Sequence, residues 1–223
     1  MGFLDDLKRQ ADALKAKQSI DTAALARNTA LTEAACRSVF DYFNALAPQL
    51  DVLQPTSHAR FALDRQHVFN GLRLSQFRVD SRLKTLRNAD VFDHLVLHWQ
   101  LKSGQSLQLT KDFIPDMRQL ESRLRQSGVQ VENEALRNPD NGKLLAHRYT
   151  FAADFVGSVR VTPRHDDAIV HVQVHNLDGF ESVSVEFPAI EVGGTRLDDL
   201  ARWIAGQPHG FLEGGQQLRR TEA

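Results

Sequence analysis

Near residue 59 the spacing of apolar residues switches from the three-to-four repeat of a helix to the two-residue repeat of a strand. No other feature narrows the fold as much, because a side chain set with one period cannot bury its apolar members in an element of the other. Upstream, Phe3, Leu4, Leu7, Ala11 and Leu14 fall on one stripe and predict a short amphipathic helix over residues 3–17. A second helix is expected from Asp21, a suitable N-cap, to Ala47 before Pro48, with Ala35, Cys36, Val39, Phe40, Phe43 and Leu46 sharing a face. The two prolines of residues 48–58 read as a linker.

Downstream, strands are expected at 68–84, 91–101, 105–112, 129–136, 144–153, 155–163, 167–176 and 180–187. Two stretches say nearly the same thing. In residues 93–109, Leu95, Leu97, Trp99 and Leu101 oppose Val96, His98 and Gln100 before Ser103-Gly104 leads to Leu107 and Leu109. In residues 167–185, Val170, Val172 and Val174 oppose His171, Gln173 and His175 before Asp178-Gly179 leads to Val183 and Val185. Each reads as a hairpin with one buried face. Each is followed by an amphipathic helix: Met117, Leu120 and Leu124 in one, Leu197, Leu200 and Ile204 in the other, the latter with a Thr195–Asp198 capping box.

This order predicts an α+β fold: a twisted antiparallel sheet of seven to nine strands, helices 114–126 and 195–206 on one face, and possible internal duplication of units 68–126 and 144–206. The expected organisation is a helical arm (1–57), a sheet domain (58–207) and a loose C-terminal tail (208–223). A chain of 223 residues with 42% apolar and 25% charged residues supports such a core.

Cys36 is the only cysteine and falls on the apolar side of its helix, so it reads as a core residue in a reducing compartment. The first residues carry acids and no apolar run of about 7–15 residues, which points away from a secretory signal and to a cytoplasmic protein. No stretch approaches the ~18 apolar residues of a membrane span. Asp5, Asp6 and Asp12 set the first helix against anionic lipid, so its stripe is expected to pack on its own domain or on a partner subunit.

No nucleotide-binding, dinucleotide, zinc-protease or nucleophile-elbow motif occurs, so no cofactor and no metal is expected. His94 and His98, and His171 and His175, lie four apart on strands, about 13 Å along the chain, so only cross-strand convergence would bring imidazoles together. Residues 164–167, RHDD, contain His165, Asp166 and Asp167, ordinary turn residues as much as an acid–base pair.

Charge is segregated. Residues 58–125 hold 12 Lys and Arg against 7 Asp and Glu, whereas residues 166–199 hold 1 against 8. The two regions could match electrostatically, within one molecule or between copies. Alternation places Arg78, Arg82 and Lys84 together, with Asp80, opposite Phe77, Val79 and Leu83. The leading expectation is a non-enzymatic binding module for a protein partner, a second copy or an apolar small molecule. The alternatives are an enzyme using His98, His171 or His175 and a nucleic-acid binder using Arg78, Arg82 and Lys84.

Overall fold

The computed structural model describes residues 3–222, with the side chains of all of these except residues 3–6, 11 and 13–20. Of the expected N-terminal stripe, the side chains of Phe3, Leu4, Ala11 and Leu14 therefore lie outside the described residues.

One helix, α1 (Phe3–Leu53), replaces the two expected. Between Leu14 and Leu25 the sequence holds Ala, Lys, Gln and Leu but no Gly or Pro, and this helix-forming run overrides the capping preference of Asp21. Pro48 lies inside the helix, on an exposed position. It forfeits one backbone hydrogen bond, but Leu50, 3% exposed, keeps the last turn in place. The helix ends at Gln54, where φ turns to 44°. Thr32, Ala35, Cys36, Val39, Phe43, Ala47 and Leu50 form its buried face.

The strands pair antiparallel in three sheets. The largest has the order β11-β10-β9-β8-β4-β3, built from β3 (Arg73–Leu86), β4 (Ala89–Lys102), β8 (Phe155–Arg164), β9 (Ile169–His175), β10 (Glu181–Pro188) and β11 (Gln216–Glu222). A three-stranded sheet, β5-β7-β6, holds β5 (Ser106–Lys111), β6 (Glu132–Arg137) and β7 (Leu144–Ala152), and β1 (Phe61–Ala62) pairs with β2 (Val68–Phe69). The architecture is the expected α+β antiparallel one, with the strands shared among three sheets.

The two echoing stretches fold differently. β9 and β10 form the expected hairpin. β4 and β5 do not pair: β4 joins β8 in the large sheet, whereas β5 joins β7 in the small one. Ser103-Gly104 is a corner between sheets. Its amides donate to Asp154 Oδ1 at 2.9 and 3.2 Å, and the Ala153 amide donates to the Gln105 carbonyl at 2.7 Å, so the β4–β5 and β7–β8 corners brace each other. Period-two alternation continues through a corner as readily as through a hairpin, which is why the likeness in sequence does not become a structural repeat.

One face of the large sheet is dry. Leu95, Leu97, Trp99, Leu101, Val159, Val161, Val172 and Val185 are buried in a core that also contains the second half of α1. The expected linker at 48–58 is thus no domain boundary, because residues on both sides of it share this core. Trp99 stands opposite Gly157 across β4 and β8, where an added Cβ would lie 2.4 Å from the indole Nε1. Only glycine leaves room for that ring.

The dry face is roofed chiefly by α1, with α3 (Gly194–Ile204) beside it, and Tyr42 donates to Asp198 Oδ1 at 2.7 Å between them. Helix α2 (Ile114–Gln126) sits instead by the small sheet, where Tyr149 donates to Glu121 at 2.8 Å. α3 starts from Gly193 with no side-chain cap, so the Thr195 capping box does not form. The C-terminal residues are ordered by packing: Phe211 is buried, Arg196 donates to the carbonyls of Phe211 and Glu213 at 2.9 and 2.8 Å, and β11 then pairs with β10. Within the expected loose tail, Gln216–Glu222 is an edge strand.

Candidate functional site

The other face of the large sheet, which no described helix covers, gathers most of the candidate residues. Strand register lines them up in rows. One row runs Arg78, His98, Ser158, His175, Ser182, Thr221; the next runs Asp80, Val96, Arg160, Gln173, Ser184, Arg219. In a third, His171 stands between Thr162 and Glu186. The rows contain no Phe, Tyr or Trp.

Arg78 and Arg82 lie on this face opposite His98 and His94, as alternation predicts. A bulge between Arg82 and Leu83 adds Asp93 to β4, and Lys84 Nζ lies 3.4 Å from it, so Lys84 is engaged. Leu83, expected on the dry face, is 55% exposed, because the β3–β4 ribbon runs past the end of β8, whose pairing stops at Leu95–Val161. Among the described residues, Arg78, Arg82, Arg160 and Arg219 have no ion-pair partner, whereas Arg164 is held by Glu186 at 2.9 Å and Asp167 at 2.6 Å.

The histidines share the face without converging. His98 and His175 flank Ser158, two strand spacings or about 10 Å apart at the backbone. His98 Nε2 is 3.4 Å from Asp80, and His171 Nδ1 is 3.7 Å from Glu186. Burial, and then the charge of Arg160, push His175 below its ordinary pKa, favouring the neutral ring. Among the described residues, no three His, Cys, Asp or Glu side chains are grouped to hold a metal ion.

RHDD serves attachment. His165, 4% exposed, donates from Nε2 to Glu33 Oε1 at 2.9 Å, and the Phe92 amide donates to the same oxygen at 3.0 Å. Asn28 Nδ2 donates to the Asp166 carbonyl at 2.7 Å, and Arg87 bridges Asp166 and Thr29. These contacts fasten the middle of α1 to the β3–β4 and β8–β9 turns.

A second polar knot is equally committed. Asp64 accepts from the amides of Gln66 and His67, from His67 Nδ1 at 2.8 Å and from Lys111 Nζ at 2.6 Å. Burial works to raise its pKa, but these donors, Lys111 first, outweigh it and hold the carboxyl well below the usual range. A carboxylate so saturated has little capacity left to act as a base. Cys36 is fully buried; desolvation, and then the charge of Glu33, push its thiol up to about 12, which suits a packing role.

N-terminal to Asn28, α1 leaves the body. Every described side chain from Leu7 to Ala23 is exposed, Leu7 at 45%. No helix of the described residues is long and apolar enough to cross a membrane. No protein-family model, curated protein or solved structure matches this chain.

Proposed function

We propose that this chain is a cytoplasmic, non-enzymatic binding module whose body holds out the first half of α1 to capture a protein partner, which includes a second copy of itself. The observation that carries this reading is the course of α1: one continuous helix, fastened in the core by its second half, whose described side chains from Leu7 to Ala23 are exposed. The stretch from Phe3 to Arg27 is ~37 Å long at about 1.5 Å per residue. An isolated helix is costly to nucleate in water. Here the anchored half supplies the nucleus, so the arm meets a partner already ordered and loses less entropy on binding.

Removing residues 1–18 tests this directly. The truncated chain is expected to keep the urea midpoint of the body while losing self-association in sedimentation or losing its partner in pull-downs. An unchanged sedimentation profile together with unchanged capture would overturn the reading.

A second reading is favoured by the unpaired arginines of the uncovered sheet face, which suit a polyanion such as a nucleic-acid backbone. Binding of this kind rests on counterion release, with a slope of log K against log salt of about −0.7 per phosphate on a single strand. The triple variant R78Q/R82Q/K84Q is expected to bind single-stranded DNA more weakly and with a shallower slope. Equal binding by the variant would remove this reading.

A further inference from the structure

Where α1 ends, the chain turns back on itself several times around one open cleft of about 640 Å³. That is room for a small metabolite. Gly71, Gly104, Gln54 and Gln76 all line it with positive φ, and neither glutamine has glycine's freedom to adopt that backbone without strain. Gln76 belongs to an irregularity in β3: Ser75 pairs with Gln100 and Arg78 with His98, leaving Gln76 and Phe77 against Trp99 alone. Such bulges re-aim side chains beside binding sites.

Three features give the cleft its chemistry. Arg73 and Lys102 stand directly opposite each other across β3 and β4, both exposed and neither with an ion-pair partner among the described residues. Like charges so placed repel, unless a negative group lies between them. Ser75 lines the cleft at 8% exposure, and its buried hydroxyl has no hydrogen-bond partner among the described residues. A buried hydroxyl left this way costs stability, and an acceptor brought within reach would offset that cost. The other wall is the carboxyl end of α1 with Asp51, whose Oδ1 accepts from the Phe77 amide at 3.0 Å. That wall repels a second negative charge and favours hydrogen-bond donors.

We propose that this cleft binds a small polar molecule by an oxyanion group, phosphate or carboxylate, seated between Arg73 and Lys102 beside the Ser75 hydroxyl, with its donor groups toward Asp51. The site lies at the end of α1 opposite the projecting arm and is independent of partner capture.

The test titrates inorganic phosphate and acetate separately into the full chain, with ionic strength held constant by sodium chloride, and follows amide chemical shifts. Saturable shifts are expected at Gly71 and Gly104, with affinity reduced at least tenfold in R73Q/K102Q. That variant should unfold cooperatively at a midpoint no lower than the parent's, because removing the facing cations relieves repulsion. S75A, which keeps both charges, should lose affinity a few-fold while remaining folded. A response to phosphate alone assigns a phosphate ester, and one to acetate alone a carboxylic acid. The proposal is overturned if neither anion moves these amides, or if R73Q/K102Q binds as tightly as the parent.

Discussion

The two halves of α1 are one helix with two fates. From Asn28 onward it is tied by Glu33, pressed against the dry face of the sheet by Val39 and Phe43, and carried through Pro48 by the burial of Leu50. Before Asn28 the same backbone continues, and its described side chains from Leu7 to Ala23 meet solvent. The difference teaches that the apolar period of a helix declares that a face wants covering and does not say what covers it. In the second half the cover is a sheet whose first strand of contact lies dozens of residues on; in the first half Leu7, the described member of the stripe, is left in solvent.

The comparison can be broken most forcefully by paired truncations. Phe43, fully buried, should cost about 3–5 kcal/mol on replacement by alanine, whereas Leu7→Ala should leave the urea-measured stability within about 0.5 kcal/mol. If Leu7→Ala proved as costly, the arm would be part of the fold. A smaller effect sharpens the position of the junction. Glu33→Ala leaves the His165 ring nitrogen and the Phe92 amide without their acceptor and should cost about 1–3 kcal/mol. Amide exchange should then quicken from Asn28 to Glu33 more than from Val39 to Leu50; uniform quickening would argue against a local fastener.

Alternation alone located the strands from Arg73 to Pro188 closely, because every strand of the large sheet except its C-terminal edge has one dry face, and side chains there must recur at every second position. Cys36 was legible as a core residue for the equivalent helical reason. What alternation could not carry was connection. Whether Leu101 and Leu107 belong to one hairpin or to two sheets is decided by Asp154, fifty residues away, which grips the amides of Ser103 and Gly104. The fasteners of α1 were equally hidden, since Glu33–His165 and Arg87–Asp166 join distant turns that share no period. Arg78 and Arg82 could be placed together until the bulge, but the row from His98 through Ser158 to His175 depends on strand order. The cleft at the end of α1 left no trace in the pattern, because Asp51, Gly71, the Gln76 bulge and the Ser103–Gly104 corner meet there only after folding.

The large sheet also stops itself. Its last strand at one margin, β11, is QQLRRTE with every residue exposed, and the margin formed by β3 carries Arg78, Asp80, Arg82 and Lys84. A foreign strand docking on either side would have to desolvate a fringe of charge, so stacking of copies into fibrils is disfavoured at both borders. Crowded at high concentration, this molecule is protected from growing edge to edge.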